Sequence, residues 1–503
     1  MKRNSLLKNI IYGFLSWFLP LGLSFFATPL IVRGLGIEQF GVYALVLGFA
    51  SYSFTFNIGK AILKYVSEYQ ATNQTRKISE VISATLLLNL IVGGLGMTIL
   101  LVFSRWFVVN VLQIESHLQD EAVTAFHIAS AIIFSTMFAQ VYSSIIQAIH
   151  RFDVYSYITI LFNCLLAAGN IVLVTLNQKI EALLVWNLIL IILNSFIFYI
   201  YARRLLPEFK LVFGFPKEIF RLVLRYSSAV IVSQFLGNLM LLFERSWITS
   251  KLGTEAVTYY VIALNLGIYI HAFIGSISLT LFPLSSETDA LGDKGKLLTI
   301  YTKATKIALM LAAFLCLTLI NGRNFILELW VGAEFVQKSS DTLITHALTF
   351  SILAVVVISM QLIEGVGQPN VSAFAVFGWL VLSIPLMIVL TDGYGNLGVG
   401  AARLIGVFVY IPAILYTEKK VFGNILWKFW RKNLLVIGLA VAAASFVEFF
   451  LYQNMSPSWM NFIVGAMCGG MIFSFVLLLG GFFTANEKEW LRNLFNQVVS
   501  KTA

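Results

Sequence analysis

Charge is the scarcest ingredient of this 503-residue sequence: Asp, Glu, Lys and Arg make up 12% of it, against 59% hydrophobic residues. A soluble globular domain carries about 25% charged residues, so this composition, with a mean hydropathy of +0.87, excludes a water-soluble protein and points to an integral membrane one. Cysteine is nearly absent. Cys164, Cys316 and Cys468 each fall inside an apolar run, which argues against a disulfide framework or a metal cluster and leaves them as packing residues. The chain has no G-x-x-x-x-G-K-[ST] for nucleotide phosphates and no H-E-x-x-H for zinc. It also lacks long outer connections. The longest, Ser104 to Glu121 and Asn321 to Asp341, hold about twenty residues and leave little room for a catalytic domain. No cofactor is expected, and any energy source is an ion gradient or the substrate's own gradient.

Apolar runs are plentiful. A spanning helix needs roughly 20 mostly apolar residues, and such runs recur near 10–32, 39–63, 81–103, 122–147, 154–176, 180–202, 219–243, 256–283, 304–321, 342–363, 371–391, 396–416, 433–452 and 459–483. The expected fold class is an all-α polytopic membrane protein of about fourteen transmembrane helices. MKRNSLLKN and the run after it read as an uncleaved first helix, because the run is long and has no clear small-residue cleavage site. With the N-terminus inside, 26 of the 34 basic residues fall on the inner side or at the inner ends of spans, seven fall outside, and Arg403, within a span, is counted with neither. That bias predicts cytoplasmic N- and C-termini. The net charge of +10 is then a topology signal beside anionic headgroups, and no nucleic-acid partner is expected.

RGLGIEQFGVYAL at Arg33 to Leu45 returns as SKLGTEAVTYYVI at Ser250 to Ile262, an offset of 217 residues. IHRFDVYS at Ile149 meets VGQPNVSA at Val366 at the same offset. Locally, LG-x-E is turn chemistry, with Gly closing one helix and an acid opening the next; two anchors at one offset further indicate a duplication. Six helices per unit give parallel repeats. The expected layout is an N-terminal six-helix lobe over 1–204, a cytoplasmic linker over 205–218, a C-terminal six-helix lobe over 219–420, and two extra helices with a tail over 421–503.

Polar residues at lipid depth are costly and tend to face a bundle interior or a cavity. Ser53, Asn57, Lys60 and Lys64 are spaced to share one face of the second helix, and Ser227, Gln234, Asn238 and Arg245 one face of the seventh. Helices five and six carry Ser156, Asn163, Asn170 and Asn177, and Asn187 and Asn194. For every stripe, interhelical hydrogen bonding competes with cavity lining. Lys60 and Lys64 are also placed to snorkel to headgroups, and Arg245 to pair with Glu244 or snorkel outward. Arg403 lies about 10 Å inside helix twelve, with Asp392 as an alternative structural partner. His271, midway along helix eight, is the candidate proton carrier. The candidate cavity set is Asn57, Lys60, Lys64, Gln234, Asn238, Arg245 and Arg403.

Pro29 with RGLGIEQFGVYAL, FNIGKAILKYVSEYQ at Phe56 to Gln70, IHRFDVYSY, and ERSWITSKLGTEAVTYY at Glu244 to Tyr260 together resemble the polysaccharide-repeat flippases, the Wzx type, of the multidrug/oligosaccharidyl-lipid/polysaccharide (MOP) transporter superfamily. The likeness covers essentially the whole chain. It implies two six-helix lobes in the bacterial inner membrane. Between them, by alternating access, an undecaprenyl-pyrophosphate-linked oligosaccharide passes from the cytoplasmic to the periplasmic leaflet. It also implies a cation-lined cavity for the pyrophosphate, with helices thirteen and fourteen accommodating lipid. The partners so implied are that lipid-linked oligosaccharide and membrane lipids, with a polysaccharide polymerase, a chain-length regulator and a coupling proton or sodium ion as further candidates. Asn57 stands where an acid is common in the family, which weakens an ion-coupling role there. The alternatives are a lipid II flippase, a multidrug antiporter and, from a different class, a polysaccharide polymerase or ligase.

Overall fold

The computed structural model describes residues 19–484 and Glu487, except 21, 72–73, 150, 213, 215, 279–280, 282–284, 286–287, 289–291 and 369. Residues 1–18 and 488–503, on which the start of the first helix and the tail charges fall, lie outside the described residues, as does His150 of the second repeat anchor.

Every regular element described is a helix. In chain order these are α1 (Gly22–Leu35), α2 (Ile37–Phe54), α3 (Lys60–Ala71), α4 (Thr75–Trp106), α5 (Gln119–Ala148), α6 (Phe152–Thr175), α7 (Ile180–Leu205), α8 (Lys217–Leu252), α9 (Thr254–Ser278), α10 (Lys294–Asn321), α11 (Arg323–Trp330), α12 (Ala333–Gly365), α13 (Asn370–Val407), α14 (Tyr410–Phe422), α15 (Trp427–Asn454) and α16 (Trp459–Leu479). Among the described residues ten stretches are helical, long and apolar enough to span a membrane, and Gly22–Leu35 and Ile37–Phe49 are shorter apolar helices. The chain is an all-α polytopic membrane protein.

The chain packs as two compact units, one of Met1–Val261 with Leu380–Val399, the other of Ile262–Trp379 with Gly400–Ala503. These boundaries follow packing and differ from the two sequence halves. The helix limits nevertheless repeat. α2 and α9 begin at 37 and 254, and α5 and α12 end at 148 and 365, both pairs 217 residues apart.

The twin stretches do the same local job. Gly36 and Gly253 both have positive φ, 84° and 88°, and donate their N–H to Val32 and Thr249 carbonyls at 2.9 and 3.0 Å. A residue without Cβ tolerates that backbone, which is why glycine closes both helices. Glu38 and Glu255 then sit in the first turns of α2 and α9, where the helix dipole favours a negative charge.

Within the first unit the twins also touch. The Thr258 hydroxyl donates to the Ile37 carbonyl at 2.6 Å, and Gly41 lies directly on the Thr254 carbonyl, where a Cβ would collide with backbone. The loop between α4 and α5 reaches both twins: Glu115 accepts from the Thr254 N–H and hydroxyl, each at 3.0 Å, while His117 pairs with Glu38 at 3.1 Å.

One expected span is not a simple rod, and one helical stretch takes in two expected spans. The second expected span, read as continuous over 39–63, is broken at 55–59 between α2 and α3. Within α13, Gly395 has φ 53° and ψ −133°, and Gly398 packs against the Leu390 carbonyl. A straight helix would put those residues about 12 Å apart, so the chain turns back there, between the eleventh and twelfth runs of the sequence.

In the second unit, α15 and α16 pack on α10 through Leu309, Leu317, Ile437, Ala440, Phe473 and Leu477, all buried. Ser458 caps α16 by accepting from the Asn461 N–H at 3.1 Å, and Asp293 caps α10 by accepting from Lys296 at 2.9 Å. Beyond α16, Glu487 ion-pairs with Lys306 of α10 at 2.7 Å. Burial alone would raise the Glu487 carboxyl, but Lys306 and hydrogen bonds from Thr484 hold it below the ordinary glutamate range.

Candidate functional site

The break after α2 is where the first unit concentrates its polar candidates. Its sequence, Thr55-Phe56-Asn57-Ile58-Gly59, joins two β-branched residues to a glycine, all weak helix formers. Unwound backbone at membrane depth persists only where its polar groups find partners. Here the Asn57 N–H donates to the Gln234 side-chain oxygen of α8 at 2.6 Å, and the Ile58 N–H to the Phe56 carbonyl at 2.9 Å. Gly59 seats the break against α5, where a Cβ would run into the Ser144 hydroxyl and approach the Gln140 carbonyl.

Asn57 and Gln234, placed in separate stripes by the sequence, are thus in direct contact. The break also corrects the first stripe: Ser53 lies before it and Lys60 after it, so they do not share one continuous helix face. The 18 residues of α2 measure about 27 Å against a hydrocarbon core of about 30 Å. The break therefore lies near the membrane boundary opposite Gly36.

At that boundary α3 starts afresh with Lys60, and Lys64 follows one turn later on the same face. Both lysines are exposed. The Lys64 ammonium stands 5.0 Å from the Tyr65 ring centre and 5.1 Å from that of Tyr226 of α8, a cation–π seat that limits where the amine can go. The Lys60, Ala61 and Leu63 N–H groups are taken by the Asn57, Ile58 and Gly59 carbonyls, so the helix start offers the two ammonium groups and the positive end of a dipole. A helix start carrying two lysines is arranged to receive an anion, phosphate above all. Asn238 lies one turn beyond Gln234 on α8 and is half-buried.

Arg245 is turned inward. It is 8% exposed, its guanidinium donates to the Ala44 carbonyl, and it occupies the space that Gly48 leaves open on α2. It packs α8 on α2 instead of reaching out toward headgroups.

In the second unit Arg403 is 3% exposed. Its guanidinium carbon lies 4.9 Å from the Phe350 ring centre and 5.2 Å from that of Trp379, and the Trp379 indole N–H donates to the Arg403 carbonyl at 3.3 Å. The His271 ring and the wholly buried His346 ring are each 6.4 Å from Phe350. The sequence reading singled out Arg403 and His271 but passed over His346, Phe350 and Trp379. A histidine within an apolar run was the available signal for His346; nothing local marks the two aromatics as seats for a cation.

An apolar cavity of about 530 Å³ also lies in the second unit, walled by α10, α12, the segment from Phe408 to Leu415, and α15. Its lining on α15 runs from Trp427 to Ser445, about 27 Å along the helix. Asn321, Ser351 and Ser445 are its few polar members. A slot of that length and composition suits a hydrocarbon chain.

Residues 6–289 match the family model described as "Polysaccharide biosynthesis protein". The chain belongs to that family. It is 22% identical over 425 residues to a Shigella flexneri protein named "Putative O-antigen transporter", a match covering 82% of this chain and 96% of that one. Its fold is similar to that of the lipid II flippase MurJ in an inward closed conformation, with a TM-score of 0.73 at 16% identity over 93% of this chain and 98% of that one. It is also similar to an inward-facing multidrug resistance MATE family transporter of the MOP superfamily, with a TM-score of 0.66 at 17% identity over 82% and 98%. The polysaccharide biosynthesis family membership and the MOP-type fold agree with the resemblance carried by the sequence motifs.

Proposed function

We propose that this member of the family is a flippase, not an enzyme. It moves an undecaprenyl-pyrophosphate-linked oligosaccharide from the cytoplasmic to the periplasmic leaflet of the bacterial inner membrane by alternating access, with both termini cytoplasmic. The observation that carries this reading is the new helix start at the α2–α3 break, with Lys60 and Lys64 on its first turns and the Asn57–Gln234 contact beside it; Asn238, one turn further along α8, is the proposed continuation of that polar face. A pyrophosphate cannot enter about 30 Å of hydrocarbon without its hydration, and charge-assisted hydrogen bonds from the two lysines offset that loss. The apolar slot supports the same reading, since a polyprenyl tail needs a non-polar path. Two six-helix lobes, over 1–204 and 219–420, are the proposed moving parts.

The remaining site residues take subsidiary parts. Arg403 is a fixed positive charge for the substrate, Arg245 acts mainly by packing, and His271 carries the coupling proton, with sodium as the other candidate ion. Delivered units pass to a polysaccharide polymerase and its chain-length regulator.

Lipid II presents the same polyprenyl pyrophosphate, and the MurJ likeness covers 93% of this chain. One experiment separates the readings. Cells lacking the gene are expected to hold single lipid-linked repeat units on the inner face. The Lys60→Ala, Lys64→Ala double variant, present at normal level in the membrane, is expected to export them at least about tenfold more slowly, the loss of one or two charge-assisted hydrogen bonds. Accumulation of lipid II assigns the other flippase, complete but unpolymerised units outside assign a polymerase, and drug sensitivity alone assigns an antiporter.

A further inference from the structure

One ionisable group has no part in that reading. Glu448 of α15 is fully buried, six residues before the helix ends at Asn454, about 9 Å along the axis. One carboxyl oxygen meets the Thr318 hydroxyl at 3.1 Å and the other accepts from the Asn321 side-chain amide at 3.0 Å, both on α10. Gly469 of α16 closes over the carboxyl so tightly that a Cβ there would overlap it. Among the described residues no cation pairs with it.

The neighbours bring no compensating charge. From α10 come only neutral donors. At the start of α11, Arg323 is engaged by the Ser340 hydroxyl and the Ile320 carbonyl, and Glu328 is exposed. The titratable neighbours are Tyr452 on α15, whose hydroxyl donates to the Phe462 carbonyl at 2.9 Å, and Cys468 on α16 next to Gly469. Asn321 has a second role, because it also lines the apolar slot, at the α10 end of its lining.

We propose that Glu448 is a proton-binding site that fastens the appended pair α15–α16 to α10. With the proton bound, one carboxyl oxygen donates to the Thr318 hydroxyl, the other accepts from Asn321, and the seam holds no charge. When the proton leaves for the aqueous phase, a carboxylate with two neutral partners remains in a dry seam. That state is relieved only by admitting water between α10 and α15, at the end of the slot where Asn321 sits.

The test uses the full chain in lipid nanodiscs without substrate, so its failure would leave the flippase reading standing. Infrared difference spectra of wild type and Glu448→Gln, which keeps the side-chain volume, are recorded from about pH 5 to about pH 9, a range that covers perturbed carboxyl titration. The expected result is a protonated-carboxyl band in wild type, lost as pH rises and missing from E448Q. Hydrogen–deuterium exchange of the outer ends of α15 and α16, corrected for the intrinsic pH effect, is expected to rise severalfold with pH in wild type and to stay flat in E448Q. No Glu448-dependent band at any pH, or a band that persists unchanged across the range, overturns the proton site. Exchange that follows pH identically in both proteins overturns the fastening.

Discussion

At the scale of single residues, the second unit shows how a charge within a span is seated. Arg403 lies against two aromatic faces, Phe350 and Trp379, and a planar guanidinium stacks there in a way that a lysine ammonium cannot. Arg403→Lys keeps the charge and loses the stack. It is expected to lower the thermal midpoint of the purified chain by the equivalent of about 1–2 kcal/mol, the size of a desolvated cation–π contact. Differential scanning fluorimetry in detergent reads that loss, and an unchanged midpoint would show that the ring contacts contribute nothing. Arg403 was legible in the sequence because one basic residue falls within an apolar run. Its neighbours were not, because 43 phenylalanines hide the one that matters.

At the scale of elements, the decisive feature is a helix that stops too soon. Hydropathy sees 39–63 as one run because Thr55, Phe56 and Ile58 are apolar enough to keep the window high, and no proline announces the break. What stops the helix is tertiary: Gln234 takes the Asn57 N–H, and Gly59 lets α5 approach. Sequence periodicity cannot report a partner 177 residues away. Gly59→Ala would place its methyl on the Ser144 hydroxyl, in a position where neither helix can retreat without moving the break. A loss of about 1–3 kcal/mol is expected, the usual penalty for overpacking. Ser144→Ala on top of it should recover part of that loss by removing the oxygen in the way. A double-mutant cycle on unfolding free energies checks this, and simple additivity of the two substitutions would mean that the contact is not the cause. The twin stretches teach the same lesson. Their turn chemistry was readable in LG-x-E, but not their contact through Thr258 and Ile37, nor the reach of Glu115 to the start of α9.

For the molecule as a whole, a carrier of an amphiphile has two unlike tasks, and the two units hold one feature suited to each: a helix start with two lysines in the first, an apolar slot in the second. The fold class was legible from end to end because apolar runs of spanning length recur along the chain, with the repeated turns and inner-loop charges between them. That pattern could not announce the slot, whose wall combines repeated helices with the appended α15. If the slot holds the polyprenyl chain, filling it should stop export without unfolding anything. Ala312 on α10 and Ser445 on α15 both line the cavity, and Ala312→Phe and Ser445→Trp would fill it from two of its walls. Each adds apolar contacts to an open space, so the melting temperature should hold or rise. Lipid-linked units should meanwhile build up on the inner face as they do in cells lacking the gene. A variant with a lower midpoint has damaged the packing and says nothing about the slot, which is why two walls are probed. Full export by two stably folded fillers would mean that the tail travels entirely in the surrounding bilayer, leaving the slot as a seam between the repeat and its appended pair.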